Sequence, residues 1–314
     1  MNGGTVGVVV MAYGTPARPE DIEAYYTHVR RGRPAGPELL DELTRRYQAI
    51  GGVSPLAART KAQASMLHRM LQERVPDRYV VEIGLKHAEP FIEEAVEHLI
   101  ERGVGRLLGL VLAPHFSTVS VGEYLGRMKT HAVLLDPSLP AGGIESWHVE
   151  PAYVDFLSDQ VATGLSTMPP STKVIFTAHA LPQRVIDAGD PYPEQLRATG
   201  EAVARQVGLD AMNWALACQS AGRTPEPWMG PDLLDVIRDL ATDGRTGGVL
   251  VCPCGFVSDH LEVLYDLDIE AARIAAQMGL AFARTRVPND DPLVMAALAE
   301  RLIVEDASFT PIGS

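Results

Sequence analysis

The sequence predicts a doubly wound α/β protein. Short and nearly unbroken apolar runs recur along the chain, each bounded by glycine, proline or polar residues. Such runs are typical of strands that helices cover on both faces. Most of the runs are followed by a segment whose apolar residues have helical spacing. This alternation indicates βα units on parallel sheets.

Six strands and several helices are predicted, in chain order. The strands are TVGVVVMAY, YVVEIGLK, RLLGLVLA, KVIFTAHA, NWALACQS and GGVLVCPC. Between them, AEPFIEEAVEHLIERG reads as a helix that stops at Gly103, and PYPEQLRATGEAVARQVG as one that stops at Gly208. GFVSDHLEVLYDLDIEAAR is predicted to form one continuous helix, and PLVMAALAERLIVED the last one.

The length of 314 residues favours two domains, because domains typically hold about 100–200 residues. The segment DPSLPAGGIESWHVEPAYVDFL begins with proline and glycine and marks the best junction. We therefore expect domains at 1–150 and 151–314. The last helix, near 291–305, is free to pack back on the first domain.

Composition excludes several classes of function. Lysine and arginine number 27 against 40 aspartates and glutamates, a net charge of −13, which argues against nucleic acid or an anionic membrane as a partner. Apolar runs such as Leu107–Pro114 are far shorter than the roughly 18–20 residues that span a bilayer, and the amino terminus has no basic leader. Three cysteines, at 218, 252 and 254, indicate a reducing compartment. We expect a cytoplasmic protein.

Unusual side chains end four of the predicted strands. They are Tyr13, the pair Lys86 and His87, His115, and His179. Ligands of open α/β sheets bind beyond the carboxyl ends of the strands, so each is a functional candidate. Local bonding to the backbone is the alternative for any one of them.

An acidic column is predicted on the helix at 255–273. Glu262, Asp266 and Glu270 are spaced by four residues, about 6 Å apart along the axis of an α-helix. The first base of the segment is Arg273, so no cation within it balances the row. A divalent cation that moves along oxygen ligands is a natural counter-ion. A solvated helix face in an acidic protein is the alternative.

A basic patch lies early in the chain. Between residues 27 and 62 the sequence holds seven lysines or arginines and three acids. Arginine forks bind carboxylates in bidentate fashion, so this patch predicts a site for a polyanion. Solvated helix surface is again the alternative.

Motifs along nearly the whole chain, from Gly7 to Pro288, resemble the ferrochelatase family, specifically the branch that acts on coproporphyrin III. They are MAYGTP, YYTHVRRGRP, RYQAIGGVSPL, IGLKHAEPFIEEAV, LAPHFSTVSVGEY, TAHALP, GDPYPEQL, QSAGRTPEPWMGPDL and GFVSDHLEVLYDLDIEA. The resemblance implies two Rossmann-like lobes of the chelatase type, each with a parallel sheet flanked by helices, and a porphyrin held in an active-site cleft between them.

The resemblance also implies roles for individual residues. His179 and Glu262 match the catalytic pair, and both also match metal ligands. Asp266 and Glu270 match a row that conducts metal toward Glu262, and Tyr13 matches the position that approaches the metal from the opposite face. The resemblance assigns substrate propionates to Arg30, Arg31, Arg46, Ser54 and Tyr124. Which of His179 and Glu262 takes the proton stays open.

The implied reaction is insertion of Fe²⁺ into coproporphyrin III to give coproheme, with release of two protons, in heme biosynthesis. Alternatives are a protoporphyrin IX ferrochelatase, a cobalt chelatase of a related fold, and a tetrapyrrole carrier without catalysis. Some relatives hold a [2Fe–2S] cluster on four cysteines, but three cannot supply that set. We expect no cofactor and a monomer with transient contacts to neighbouring heme-pathway enzymes.

Overall fold

The computed structural model describes residues 4–308, which divide into two compact units. Unit 1 consists of residues 4–113, 119–146 and 289–308, and unit 2 of residues 114–118 and 147–288. Within 4–308 there is no helix with the length and hydropathy that crossing a bilayer requires.

Strands and helices alternate along both units. The strands are β1 (Val6–Ala12), β2 (Tyr79–Leu85), β3 (Arg106–Val111), β4 (Ala141–Ile144), β5 (Thr172–His179), β6 (Trp214–Gln219), β7 (Gly248–Cys252) and β8 (Ala281–Arg284). The helices are α1 (Ile22–Val29), α2 (Pro37–Ala49), α3 (Leu56–Arg74), α4 (Ile92–Glu101), α5 (Val121–Leu135), α6 (Pro151–Leu165), α7 (Gln183–Asp187), α8 (Tyr192–Val207), α9 (Leu233–Thr242), α10 (Leu261–Leu264), α11 (Ala272–Gln277) and α12 (Pro292–Ser308). A 3₁₀ turn covers Pro19–Asp21 and a π-helical turn covers Asp266–Ala271.

Unit 1 contains a four-stranded parallel sheet in the order β2-β1-β3-β4. Every residue of β1 is buried, as its unbroken apolar sequence predicts. The chain runs outward from β1 to β2 on one side and then returns to β3 on the other. The carboxyl ends of β1 and β3 therefore form a topological switch point, where open α/β sheets bind ligands.

Unit 2 repeats this arrangement with the order β6-β5-β7-β8, again all parallel. Its switch point lies between β5 and β7, so the end of β5 at His179 is in the position where a ligand is expected. The two parallel sheets, each followed along the chain by helices, confirm the predicted doubly wound α/β class.

Two strands were not predicted from the sequence. They are β4, with the sequence AGGI, and β8, with the sequence AFAR. Each is four residues long and lies at the edge of its sheet. Short edge strands lack the long apolar run by which the central strands are recognised. The β4 segment was read instead as part of the domain junction.

Glycine ends two of the predicted helices as expected. Gly103 and Gly208 have φ angles of 73° and 78°, the left-handed conformation that terminates helices. The continuous helix predicted at 255–273 is wrong. Helical structure begins only at Leu261, and the π-helical turn separates α10 from α11. Residues 255–260 instead form a loop after β7.

The final helix, α12, packs against α3 of unit 1. Its Asp306 is buried and pairs with Arg78 at 2.9 Å and Arg106 at 3.0 Å, and it accepts a hydrogen bond from the Tyr79 hydroxyl at 3.1 Å. On α3, the Gln63 amide donates to the Asn289 carbonyl at 3.0 Å. These contacts attach the final segment of the described chain to the first sheet.

Candidate active site

His179 ends β5 with its two ring nitrogens in different environments. Nδ1 lies 2.5 Å from the carbonyl oxygen of Ala180, and a carbonyl oxygen can only accept, so Nδ1 carries a hydrogen. Nε2 faces Oε1 of Glu262 at 3.5 Å. The backbone therefore fixes the ring orientation and leaves Nε2 as the atom that exchanges protons or binds a metal.

Glu262 and His179 shift each other's protonation equilibria. Burial by itself lowers the pKa of His179, but attraction by the Glu262 carboxylate outweighs burial and raises it well above the ordinary value. Burial likewise raises the pKa of Glu262, and the His179 charge reverses this and lowers it. The side chains are 37% and 35% exposed. Both shifts favour an imidazolium beside a carboxylate at neutral pH.

His260 is a second histidine at the same carboxylate, and it was not predicted. Its Nε2 lies 3.5 Å from Oε2 of Glu262, while its Nδ1 donates to the Ser258 carbonyl at 2.9 Å. Residues two apart do not face each other on a helix, so the predicted helix separated His260 from Glu262. His260 is in fact extended, with φ −156° and ψ −177°, just before α10. The sequence HLE, which places His260 two residues before Glu262, was the only local indication that the two side chains could meet.

Two further side chains hold this pair in place. Gln219, at the end of β6, accepts from the Thr177 hydroxyl at 2.9 Å and donates to the backbone carbonyl of Glu262 at 3.2 Å. The Tyr192 hydroxyl, on α8, donates to the backbone carbonyl of His179 at 3.1 Å. Strand ends and a helix of unit 2 thus fix the backbone at both members of the pair.

The acidic column begins at this pair and continues on the π-helical turn. Asp266 is buried and accepts from the Ser220 hydroxyl at 2.5 Å, and its charge adds to the shift of the His179 pKa. Glu270 is half-buried on the same turn. Within residues 4–308, no three or more His, Cys, Asp or Glu side chains converge to hold a metal ion. Glu262 lies on α10, and Asp266 and Glu270 follow it on the adjoining π-helical turn.

A base from outside the acidic segment pairs with two of its carboxylates. Arg284, on β8, pairs with Asp268 at 2.6 Å and with Asp259 at 3.3 Å. Arg284 lies outside 255–273 and meets the segment only in the folded protein. The sequence of the segment alone could therefore not predict these ion pairs. Asp259 and Asp268 are therefore ion-paired with Arg284, and neither belongs to the predicted column of Glu262, Asp266 and Glu270.

Tyr13 follows β1 at the switch point of unit 1. Its ring lies beside that of His87, with centroids 4.6 Å apart, and 43% of Tyr13 is exposed. Burial and the charges of Lys86, His28 and Arg127 lower the pKa of His87 to about 3, so this imidazole is neutral. Nδ1 of His87 lies 3.1 Å from Nδ1 of His28.

Of the predicted arginines of the basic patch, Arg30 and Arg31 lie in the turn that follows α1, and Arg46 lies on α2. The Arg30 guanidinium lies 5.6 Å from the centroid of the Tyr26 ring and donates to the Arg33 carbonyl at 3.2 Å. Arg31 is exposed with a φ of 58°, which is uncommon for a residue with a Cβ atom. Arg46 is half-buried and pairs with Glu42 at 3.3 Å.

The two hydroxyl residues assigned with these arginines are buried. The Ser54 hydroxyl accepts from the backbone nitrogen of Leu56 at 3.2 Å, at the start of α3. Tyr124 lies on α5, with the Lys86 ammonium 5.2 Å from its ring centroid, and Lys86 pairs with Glu123 at 2.8 Å. Ligand contact at Ser54 or Tyr124 stays a prediction, limited to the small exposed part of each side chain.

His115 is a structural residue within unit 2. It is buried, and its Nε2 bonds to the Thr199 hydroxyl at 2.9 Å, which itself donates to the His148 carbonyl. Asp190 holds the segment 114–118 in place. Its carboxylate accepts hydrogen bonds from the Ser117 hydroxyl and from the backbone nitrogen and the hydroxyl of Thr118. Asp190 belongs to the GDPYP string after His179, so at least one carboxylate of that string is structural.

The three cysteines are buried and free. Burial raises the pKa of Cys218 and of Cys252 to about 12, and it also raises that of Cys254. Cysteine binds metals as the thiolate, and these environments disfavour that form.

Comparison of the sequence with known proteins identifies the family of this chain. The profile of the family described as Ferrochelatase matches residues 5–306. The chain belongs to the ferrochelatase family. It is an enzyme of that family, as the sequence motifs predict. The matched range, residues 5–306, includes every site residue considered above.

Several curated relatives match over almost their full length. The coproporphyrin III ferrochelatase of Halalkalibacterium halodurans is 46% identical over 299 residues, which cover 94% of this chain and 95% of the relative. That of Anoxybacillus flavithermus is 44% identical and covers 94% of each chain. Coproporphyrin III ferrochelatase 1 of Bacillus anthracis is 43% identical, covering 96% of this chain and 98% of the relative.

Solved structures of other chelatases share the fold at low sequence identity. SirB from Bacillus subtilis with Fe³⁺ has a TM-score of 0.59 at 12% identity, covering 98% of this chain and 99% of SirB. CbiX, described as the terminal enzyme of siroheme biosynthesis in denitrifying bacteria, has a TM-score of 0.53 at 14% identity, covering 98% of this chain and 100% of CbiX. At such identities the likeness shows the architecture alone.

Proposed function

We propose that this ferrochelatase inserts Fe²⁺ into coproporphyrin III to give coproheme in heme biosynthesis. In this reaction two pyrrole N–H bonds break, the iron–nitrogen bonds form, two protons leave, and no oxidation state changes. The observation that carries the proposal is the placement of His179 Nε2 3.5 Å from Glu262 at a switch point. The curated relatives that match the full chain support the choice of substrate.

His179 is proposed as the proton acceptor. In the free enzyme its imidazole is protonated because of Glu262, so it cannot yet accept a proton. Fe²⁺ that reaches Glu262 cancels the field of the carboxylate and thereby lowers the pKa of His179. The imidazole, which is partly exposed, then gives its Nε2 proton to solvent, and the neutral Nε2 accepts a proton from a pyrrole nitrogen. Metal arrival and base activation are coupled in this way.

Asp266 and Glu270 are proposed to supply the path of the metal. Fe²⁺ accepts carboxylate oxygens, and a row of single carboxylates lets an ion pass from one ligand to the next without a tight cage. The absence of a convergent set of three ligands among residues 4–308 is compatible with passage rather than storage. Tyr13 is proposed to approach the metal from the other face of the macrocycle.

Arg30, Arg31, Arg46, Ser54 and Tyr124 are proposed to bind propionates. Coproporphyrin carries four of these groups and protoporphyrin IX two, so a basic patch in an acidic chain favours the former. Guanidinium groups pair with carboxylates in bidentate fashion. The exposed Arg31 is available for such a pair as it stands.

The test is an anaerobic insertion assay with coproporphyrin III and Fe²⁺, followed by the Soret band. Wild-type protein is expected to form the metalloporphyrin spectrum, and faster with coproporphyrin III than with protoporphyrin IX. His179→Ala and Glu262→Gln are expected to lower kcat by about 100-fold or more, the usual contribution of a general base, while coproporphyrin binding measured by fluorescence quenching is kept.

Each alternative predicts a different result. Binding of coproporphyrin without a metalloporphyrin spectrum in the wild type identifies a carrier. Faster turnover of protoporphyrin IX reverses the substrate assignment. Near-normal kcat in His179→Ala removes that residue from the mechanism.

We further propose that the enzyme is cytoplasmic, monomeric and free of a [2Fe–2S] cluster. The buried, protonated thiols support the last point. Iron and sulfide analysis of anaerobically purified protein, together with light scattering, tests the cofactor and the monomer. Transient contacts with neighbouring heme-pathway enzymes remain part of the same proposal.

A further inference from the structure

The backbone around Tyr13 is fixed by its neighbour strand. The backbone nitrogen of His87 donates to the Tyr13 carbonyl at 3.0 Å, and that of Lys86 donates to the Ala12 carbonyl at 2.9 Å. Gly14 has a φ of 89°, and a Cβ atom there would lie 2.9 Å from the Cβ atom of Ala88. The loops that follow β1 and β2 therefore pack directly on each other.

One face of α1 contacts both of these loops. The Tyr25 hydroxyl donates to the Gly14 carbonyl at 3.2 Å, and Nδ1 of His28 lies 3.1 Å from Nδ1 of His87. Tyr25 and His28 are three residues apart, the spacing that puts two side chains on the same face of a helix. The helix α1 thus packs against the loops that follow β1 and β2.

The contact between the two histidines constrains both rings. A hydrogen bond between two Nδ1 atoms needs one proton, so one ring donates and the other accepts. The rings meet edge to face, with centroids 5.2 Å apart and planes at 74°, and the His28 ring also lies 5.2 Å from that of Phe91. Rotation of the His87 ring would break this bond. His87 in turn contacts the Tyr13 ring at 4.6 Å.

We propose that His28 is a positioning residue that holds the Tyr13 ring in its catalytic orientation through the hydrogen bond to His87. The proposal rests on the proposed function for the substrate that Tyr13 meets. Tyr13 is 43% exposed, so contacts on its buried side decide where its ring points. Without His28 the His87 ring can turn, and the Tyr13 ring loses its contact with a fixed imidazole.

Three substitutions separate the hydrogen bond from simple packing. The amide of asparagine reaches the position of an imidazole Nδ1, whereas the longer glutamine places its amide near Nε2. His28→Asn can therefore keep the bond to His87, while His28→Gln and His28→Ala cannot. His68→Ala is the control, because His68 is an exposed histidine on α3 in the same unit.

The first measurement is steady-state iron insertion. We expect kcat to fall about tenfold in His28→Gln and His28→Ala, the loss of one net hydrogen bond, with a change under about twofold in the KM for coproporphyrin III. His28→Asn and His68→Ala should stay within about twofold of the wild type. In a Tyr13→Leu background, His28→Ala should have no further effect, since both residues then act at one point.

The second measurement does not depend on turnover. Protein labelled with ¹³C in the tyrosine rings gives a Tyr13 signal, identified by its loss in Tyr13→Phe. This signal should shift or broaden in His28→Gln and His28→Ala but overlay the wild type in His28→Asn.

The outcomes separate the two proposals. If wild-type protein inserts no iron, the proposed function fails and the NMR series alone judges His28. If the wild type is active and His28→Gln matches it in both measurements, the positioning role is wrong. Equal damage in His28→Asn, His28→Gln and His28→Ala means that ring packing on Phe91, not the hydrogen bond, is what matters, and this also overturns the proposal.

Discussion

Glu262 is placed between two imidazoles, each facing a different carboxylate oxygen at 3.5 Å. Both histidines donate through Nδ1 to a backbone carbonyl, so both present Nε2 to the carboxylate. The charge of Glu262 raises the pKa of His179 and so favours the imidazolium. In the mechanism proposed above, Fe²⁺ bound at Glu262 takes over the role of that positive charge.

The first prediction at the residue scale concerns the pKa of His179. Attraction by Glu262 stabilises the imidazolium, so the NMR titration of His179 should have a midpoint above about 6.5, the unperturbed value. In Glu262→Gln the charge is gone while the shape is kept, and burial then dominates. The midpoint should fall by at least about one unit, to or below 6.5.

Histidines of unit 1 provide the control for this titration, because their curves should overlay in the two proteins. A His179 midpoint that is the same in wild type and Glu262→Gln would contradict the electrostatic coupling, and with it the idea that metal arrival activates the base.

Single residues differed in how well the sequence predicted them. His179 could be located because it ends a clear apolar run, and Glu262 through family motifs. His260 and Arg284 were missed because each depends on a departure from regular local structure or on a partner distant in sequence. His115 follows a predicted strand as His179 does, but it lies four residues after the end of β3 and is buried and bonded within the protein. Sequence position alone does not distinguish these two histidines.

At the scale of elements, the π-helical turn determines how the acidic side chains are presented. Its backbone widens at Tyr265, whose carbonyl accepts from Glu270 at 2.9 Å, five residues later. π-helical turns are rare and occur frequently at functional sites. The four-residue spacing of the acids correctly indicated a shared segment, but the type of helix was not predictable from that spacing, since α- and π-helical turns share the same residue types.

Loss of either Asp266 or Glu270 is expected to weaken the delivery of iron. Asp266→Asn should raise the apparent KM for Fe²⁺ about tenfold and Glu270→Gln about threefold, since each removes one carboxylate charge from the path. The KM for coproporphyrin III should change by less than about twofold. Steady-state assays at varied Fe²⁺ with saturating porphyrin measure the effect.

Asp268→Asn is the matched control, because Asp268 lies on the same turn but pairs with Arg284. It should leave the KM for Fe²⁺ within about twofold. An equal effect of all three substitutions would indicate general electrostatics of an acidic surface rather than a path.

The other elements were predictable in proportion to their length and burial. Six strands with long apolar runs were located from the sequence, while the four-residue edge strands β4 and β8 were not. Helices that end at Gly103 and Gly208 were located at the correct end, because glycine alone readily takes the left-handed conformation there.

At the scale of the whole molecule, Asp306 is predicted to be important for stability. Asp306→Asn leaves two arginines and a tyrosine hydroxyl without a carboxylate in a buried site. Breaking such a pair should lower the free energy of unfolding by about 3 kcal/mol. Urea unfolding measures the loss of stability. Among the helices, α12 should show the largest increase in its amide hydrogen-exchange rate.

Glu300→Gln provides the contrast on the same helix. Glu300 pairs with Arg74 at 3.5 Å and its side chain is 62% exposed. An exposed pair contributes less than about 1 kcal/mol, so this variant should unfold almost as the wild type does. If both variants lose the same stability, burial of Asp306 is not the cause.

The attachment of α12 to unit 1 has a consequence for the order of synthesis. A ribosome makes residues 1–146 first, then 147–288, and only afterwards the helix that covers α3. At about 5–20 residues per second, the nascent chain leaves that face of α3 uncovered for roughly ten to forty-five seconds. The later-made unit can therefore finish folding before the earlier one, and the waiting surface is where we expect a chaperone to bind.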